Sequence, residues 1–158
     1  MNRNHITQLL DALSKERTAL REFIRLLEQE QTLLVENTSD QLLEMAEQKS
    51  SHAIRLNELA ESRRSLLREN IPEFSAESIH AWLKTNSPES LVIWMEIRTL
   101  AEQAQQINAT NGELIQMKLR HNQKSLAVLS NAVNKANLYG PDGQTNFSST
   151  GGRSLGSG

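Results

Sequence analysis

The distribution of glycine and proline is the feature that most constrains the fold of this chain. Six of the seven glycines lie between Gly140 and Gly158, and the three prolines are Pro72, Pro88 and Pro141. Both residue types destabilise the interior of a helix, and neither occurs before Pro72. The sequence therefore predicts long helices in the body of the chain and a polar, flexible tail at its end.

A seven-residue apolar period predicts the first helix, over residues 5–36. Between the apolar positions lie intermediate layers, and two of these layers carry Glu16 and Glu30. Charged side chains there narrow the apolar seam, so we expect this helix to be half-exposed rather than central. The periodic positions are Ile6, Leu13, Leu20, Leu27 and Leu34.

The second helix is predicted over residues 39–70. Thr38 and Gln41 have the spacing of a capping box, in which each side chain satisfies the other residue's free backbone N–H. The connection to the first helix is short enough to require antiparallel packing, as in an αα-hairpin. Small residues that would allow a neighbouring helix to approach closely recur at Ala46, Ala53 and Ala60.

The rest of the body is predicted to form a short helix and a long one. Pro72 ends the second helix, because the residue before a proline avoids the α conformation. Ser87-Pro88-Glu89 is a strong start signal that combines an N-cap, a proline at the first position and an acid in the first turn. The short connecting helix is placed at 75–85, the long C-terminal helix at 88–136, the helical domain at 1–136 and the disordered tail at 137–158. The predicted fold class is all-α, an antiparallel hairpin or bundle of long helices with coiled-coil-like packing.

The middle of the long helix interrupts its own apolar stripe with Asn108, Asn111, Gly112 and Asn122. A polar group buried without a partner costs on the order of 1–3 kcal/mol. One interpretation is that these residues are exposed or set the register between helices. The other is that the second half of the helix packs loosely, with Gly112 as a hinge, and offers its apolar face to another protein's helix. That face comprises Leu114, Ile115, Leu119, Leu126, Leu129 and Val133.

Composition argues against several other classes of protein. The net charge of −2 and the isoelectric point of about 6.1 lack the basic excess of a nucleic-acid binder. No apolar run reaches the roughly 18 to 20 residues that span a bilayer, so no stable membrane insertion is expected. The chain has no cysteine, which excludes disulfides and thiolate chemistry.

Catalytic, cofactor and metal sites are not expected either. The single Glu-x-x-His, at Glu77 and His80, falls short of a di-iron bundle, which needs two such motifs and two further glutamates. The chain has no phosphate-binding glycine loop and no nucleophile elbow. A basic cluster of Arg63, Arg64 and Arg68 suits the end of the second helix, and surface electrostatics accounts for it.

Several short blocks resemble the FlgN-type family of flagellar secretion chaperones. In the first two helices these are Leu9-Leu10 with Leu20, Asp40–Leu43, Lys49, Leu56, Leu59 and Arg63–Leu67. Asn111-Gly112-Glu113-Leu114-Ile115 and Asn122 follow in the long helix, ahead of Tyr139-Gly140-Pro141-Asp142-Gly143. The resemblance spans nearly the whole chain, and its most specific parts are the Asn-x-x-Leu-Ile block and the terminal Tyr-Gly-x-x-Gly.

The resemblance implies a cytoplasmic, non-enzymatic export chaperone. Members of the family hold hook-associated proteins 1 and 3, the hook–filament junction proteins, before these are exported through the flagellar type III apparatus. They bind the helical C-terminal part of their cargo with the C-terminal part of their own chain, which here carries Leu119, Leu126, Leu129 and Val133. A tyrosine after the last helix contacts the cytoplasmic domain of the export gate, and Tyr139 matches that position. The export ATPase is a further implied partner.

Two other functions remain open from the residues alone. The same apolar seam would serve a structural coiled-coil scaffold or adaptor that self-associates, and light scattering would detect this as a stable higher oligomer. A metal-dependent helical enzyme would instead contain bound iron or zinc when purified.

Overall fold

The computed structural model describes residues 2–36 and 39–121. This part of the chain contains four α-helices and no strand, so the predicted all-α fold class is confirmed. The helices are α1 (Arg3–Val35), α2 (Leu42–Arg68), α3 (Ala76–Asn86) and α4 (Pro88–His121), with a short 3-10 turn at Ser39–Gln41 before α2.

Local signals at the helix starts explain where α3 and α4 begin. Ser75 caps α3, because its side-chain oxygen accepts a hydrogen bond from the backbone N–H of Ser78 at 3.0 Å. The predicted start of α4 is confirmed, with Pro88 as its first residue. The side-chain oxygen of Ser87 accepts a hydrogen bond from the backbone N–H of Ser90 at 3.4 Å.

The bounds of α2 differ from the predicted ones. The 3-10 turn replaces the predicted first residues of α2, and the helix ends at Arg68, ahead of Pro72. α4 runs without a break past Gly112, where an added Cβ would meet nothing within 4 Å. The predicted continuation of this helix over 122–136 lies outside the described residues, as does Thr38 of the predicted capping box.

The three long helices form one bundle in which α1 packs against both α2 and α4. α1 and α2 are antiparallel, since Glu16 pairs with Arg63 late in α2 and Glu30 pairs with Lys49 early in it. α3 packs on α4 and closes the end of the bundle at which α4 starts.

Contacts between α1 and α4 show that these two helices run in the same direction. Arg17 pairs with Glu96 early in α4, at 3.3 Å, whereas the backbone oxygen of Leu27 accepts a hydrogen bond from Asn111 late in it, at 2.8 Å. The chain therefore reverses its direction between α2 and α4, in the segment that contains α3. As a result α4 packs along α1 and runs parallel to it.

The expectation that the first helix is half-exposed is wrong. α1 is the central helix of the bundle and buries apolar side chains from Leu9 to Leu34. Glu16 and Glu30, whose charges suggested an exposed layer, are themselves buried against cations of α2. A charged side chain can be buried when an oppositely charged partner compensates for its lost hydration.

Candidate functional site

Two buried polar layers cross the interior of the bundle, and the first is built on Glu16 of α1. The Nε and Nη2 atoms of Arg63 donate to the two carboxylate oxygens of Glu16, at 2.9 and 3.2 Å. The Arg63 guanidinium also lies over the ring of Trp94 in α4, 4.7 Å from its centroid. Arg63 of α2 thus contacts both α1 and α4, and these contacts fix the relative positions of the three helices.

The second layer is built on Glu30. Lys49 Nζ donates to Glu30 Oε1 and to Asn108 Oδ1, both at 3.0 Å. Asn111 Nδ2 donates to the same Glu30 oxygen and to the Leu27 backbone oxygen, both at 2.8 Å. The interpretation that the asparagines set the register between helices therefore describes these two, since both bind groups on other helices.

The two layers repeat at the same interval on each helix. Glu16 and Glu30, Lys49 and Arg63, and Trp94 and Asn108 are all separated by 14 positions. This interval is about four turns of a helix, so equivalent positions return to the same face of the bundle. A shift of α2 by one turn would separate both cations from both carboxylates, and a shift of α4 would remove Trp94 and the asparagines from their partners, so the layers specify one register.

Burial lowers the pKa of Lys49 below its usual value, and the carboxylate of Glu30 opposes this effect only in part. The folded protein consequently holds the Lys49 proton less tightly than the unfolded chain does. Below the lowered pKa this side chain is charged in both states, and its burial costs stability.

We expect that cost to shrink as the pH rises through the lowered pKa toward the unfolded value, because the unfolded chain then binds more protons. The free energy of unfolding of the wild type should accordingly rise between neutral and alkaline pH, relative to the double variant Glu30→Gln/Lys49→Met. Urea unfolding of both proteins at several pH values measures this difference. A difference that is flat or falls with pH would contradict the inferred protonation.

The second polar layer lies between most of the main apolar core and a small apolar cluster at one end of the bundle, while Leu33 packs against both. This distal cluster consists of buried Leu34, Leu42, Ala46, Ile115 and Leu119, with Leu33 and Leu114 partly buried against it. It joins the end of α1, the start of α2 and the last turns of α4. This cluster and the layer beside it hold α4 beyond Asn111 against the other two long helices.

Large apolar side chains are also exposed around the distal cluster. Val35, Leu43 and Met117 are each more than half exposed. They lie on the same helical turns as members of the cluster. Singly exposed apolar residues are ordinary on a protein surface, but three at one end of a bundle form a candidate contact surface.

The structure divides the predicted cargo face. Ile115 and Leu119 are buried in the distal cluster, and Leu114 is partly buried beside them. They contact α1 and α2 of the same chain, so their apolar surface is already partnered. Leu126, Leu129, Val133 and Tyr139, the other predicted binding residues, lie outside the described residues.

The interpretation of Arg63 as part of a surface basic cluster is wrong. Arg63 is buried against Glu16, whereas Arg64 and Arg68 pair with Glu61 on the surface of α2. A sequence signal for the polar layers does exist. Two acids 14 positions apart in the first helix face two bases 14 positions apart in the second, in the order that an antiparallel hairpin requires.

The part of the chain that the structure describes has no sign of a metal site or a membrane span. Within it, no group of three histidine, aspartate or glutamate side chains could hold a metal ion. None of its helices is both long and apolar enough to cross a membrane. The buried ionic groups are instead committed to one another, which suits a structural role.

Comparison with known proteins gives a family match over most of the chain. The model of the family described as FlgN protein matches residues 1–146. The flagella synthesis protein FlgN of Salmonella typhimurium is 28 % identical over 152 residues, which cover 95 % of this chain and 99 % of that protein.

A second relative matches over a shorter stretch. The flagella synthesis protein FlgN of Yersinia enterocolitica is 40 % identical over 72 residues, or 46 % of this chain, and the match spans 48 % of that protein, about half its length. No solved structure matches the chain.

Proposed function

The chain belongs to the FlgN protein family, and from this premise we propose that it is a cytoplasmic export chaperone of hook-associated proteins 1 and 3. Its relatives are named flagella synthesis proteins, which supports a function in flagellum assembly. In this proposal the chain binds the C-terminal helical region of its cargo, prevents premature association and delivers the cargo to the flagellar type III export gate. The export ATPase is a further proposed partner.

The observation that carries the proposal is the apolar end of the bundle. The distal cluster is small, lies beyond the Glu30 layer, and has Val35, Leu43 and Met117 exposed around it. An amphipathic cargo helix needs an apolar groove or a partner helix of this kind. The proposed cargo residues Leu126, Leu129 and Val133 follow α4 in the sequence.

Two contributions to cargo binding are proposed for the end of α4. Leu114 is partly exposed and is available to cargo while α4 stays in place. Ile115 and Leu119 can contact cargo only if the last turns of α4 separate from Leu34 of α1 and Leu42 of α2. The polar layer at Asn111 is where such a separation would stop, since beyond it α4 would have to break buried hydrogen bonds.

Energetics makes this exchange feasible without a nucleotide. Removing a leucine or isoleucine side chain from an apolar contact costs about 1.5–3 kcal/mol. A cargo helix that buries the same side chains restores a similar amount of free energy, so the net free energy of the exchange is small. Binding of this type can be strong enough to protect cargo and weak enough to release it at the export gate.

Tyr139 is proposed to dock the loaded chaperone on the cytoplasmic domain of the export gate. In a strain lacking this chain, secretion of hook-associated proteins 1 and 3 should fall and should be restored by the wild-type gene. Tyr139→Ala should restore it poorly while the purified variant still binds both proteins. Tyr139→Phe is the matched control, because it keeps the aromatic ring and removes only the hydroxyl group.

Two outcomes of that secretion assay would count against the proposal. Normal secretion of both junction proteins in the deletion strain would contradict the chaperone function itself. Full restoration by Tyr139→Ala would instead contradict only the docking role, and the cargo-binding role would stand.

A further inference from the structure

α4 carries an exposed stripe that contains no charged residue. Its members lie three or four positions apart, so they share one face of the helix over about six turns. We call this the α4 stripe, and it consists of Pro88, Val92, Met95, Thr99, Gln103, Gln106 and Thr110. An exposed helix face normally carries charged side chains, and the exposed Glu89, Arg98 and Glu102 beside the stripe do so.

The stripe is apolar at its N-terminal end. Val92 and Met95 are 60 % and 50 % exposed, although both are large hydrophobic residues. They line one wall of an open groove between α4 and α1, with a volume of about 420 Å³. Leu100 lines the same groove and packs against the main core. A groove of this shape, with an apolar wall along a helix, fits another helix.

The charged residues that line the groove are Arg21 of α1 and Glu96 of α4. Arg17 and Arg21 of α1 both bind the single carboxylate of Glu96, at 3.3 and 3.0 Å. Two guanidinium groups on one carboxylate give this ion cluster a net positive charge, and Arg21 is its exposed member that lines the groove. Charge complementarity therefore favours a partner that brings a carboxylate to this position.

We propose that this groove binds an amphipathic helix of a second protein, whose apolar face covers Val92 and Met95 and whose flanking carboxylate pairs with Arg21. A second copy of this chain is a poorer occupant, since a face-to-face contact would bring two copies of the α4 stripe together, and the stripe itself carries no carboxylate to pair with Arg21. The groove lies on the opposite side of the Glu30 layer from the distal cluster. The proposed site is therefore separate from the proposed cargo surface and does not depend on it.

A synthetic peptide tests the site without knowledge of the natural partner. The probe is a labelled helical peptide of about five turns, with leucine at successive i, i+3/i+4 and i+7 positions and glutamate beside them. A second peptide replaces each glutamate by lysine. Fluorescence anisotropy with the full chain should show the glutamate peptide binding at least about tenfold more tightly. The net charge of −2 would favour the lysine peptide, so this preference would report the local arginines.

Three variants locate the binding. Val92→Asp/Met95→Asp should raise the dissociation constant for the glutamate peptide at least about tenfold. Ile54→Asp is the matched control, because Ile54 is 51 % exposed on α2, away from the groove, and should change nothing. Arg21→Glu should reverse the preference between the two peptides. Circular dichroism of each variant shows whether the helices are intact.

Several results would overturn the proposal. Equal affinity for the two peptides would remove the charge argument, and an equal loss in Ile54→Asp would show that binding is not at the groove. Sedimentation that finds a wild-type dimer, absent in Val92→Asp/Met95→Asp, would make a second copy the occupant. Junction-protein binding measured on the same variants reports on the proposed function separately.

Discussion

Replacing Arg63 with alanine should lower the free energy of unfolding by about 3–5 kcal/mol, because the carboxylate of Glu16 is then buried without a partner. Glu16→Ala should have a comparable effect for the converse reason. The double variant Glu16→Leu/Arg63→Met should recover most of the loss, since apolar side chains of similar size replace the pair. Urea unfolding of the four proteins measures these values.

Arg68→Ala is the control for that series. Arg68 pairs with Glu61 at 3.5 Å on the surface of the same helix, and this pair should contribute less than about 1 kcal/mol. If Arg63→Ala cost no more than Arg68→Ala, the first polar layer would not be a buried structural element. The double variant Glu16→Ala/Arg63→Ala gives a second check. If its loss of unfolding free energy equalled the sum of the two single losses, the two side chains would not interact.

Replacing Leu126 and Leu129 together with aspartate should weaken cargo binding at least about 100-fold. Each leucine that covers a cargo helix contributes about 1.5–3 kcal/mol, and a charge at such a contact adds a desolvation cost. The bundle should remain folded, because the buried residues of the main core that the structure describes run from Leu9 to Ala104, ahead of both substituted positions. Calorimetric titration with hook-associated proteins 1 and 3 measures the loss, and circular dichroism checks the fold.

Ile54→Asp serves as the control for the cargo surface as well. It places the same charge at an exposed apolar position of α2 and should leave cargo affinity unchanged. Unchanged affinity in Leu126→Asp/Leu129→Asp would move the cargo surface away from the C-terminal part of the chain. The exposed group at Val35, Leu43 and Met117 would then be the next surface to substitute.

Helix content and helix order could be predicted from the sequence because their signals are local. The lack of glycine and proline before Pro72 and the start signal at Ser87-Pro88 depend only on neighbouring residues. The position of α1 at the centre of the bundle could not be predicted in this way. It depends on Glu16 and Glu30 meeting cations from another helix, and a glutamate on a helix is far more often exposed.

For the predicted site as well, local features could be predicted from the sequence, whereas contacts between distant residues could not. Periodicity identified Leu114, Ile115 and Leu119 as an apolar face, and the structure bears out that they are apolar contacts. Whether such a face is free or already covered depends on Leu34, Leu42 and Ala46, which are distant in sequence. The role of Asn111 could not be predicted for the same reason, since its partners Leu27 and Glu30 lie on another helix.

The polar layers connect stability to the proposed function. The Glu16 layer lies within the main core, while the Glu30 layer lies between that core and the distal cluster. A bundle built in this way can hold its register firmly while its distal end exchanges partners. We therefore expect Glu30 and Asn111 to limit how far α4 can separate when cargo binds.

The most direct test of the central claim is a calorimetric titration of the purified chain with hook-associated protein 1 or 3, each with and without its C-terminal helical region. The account predicts saturable binding to the full-length proteins and none to the truncated ones. Equal binding to the truncated proteins, or no binding to either full-length protein, would contradict it.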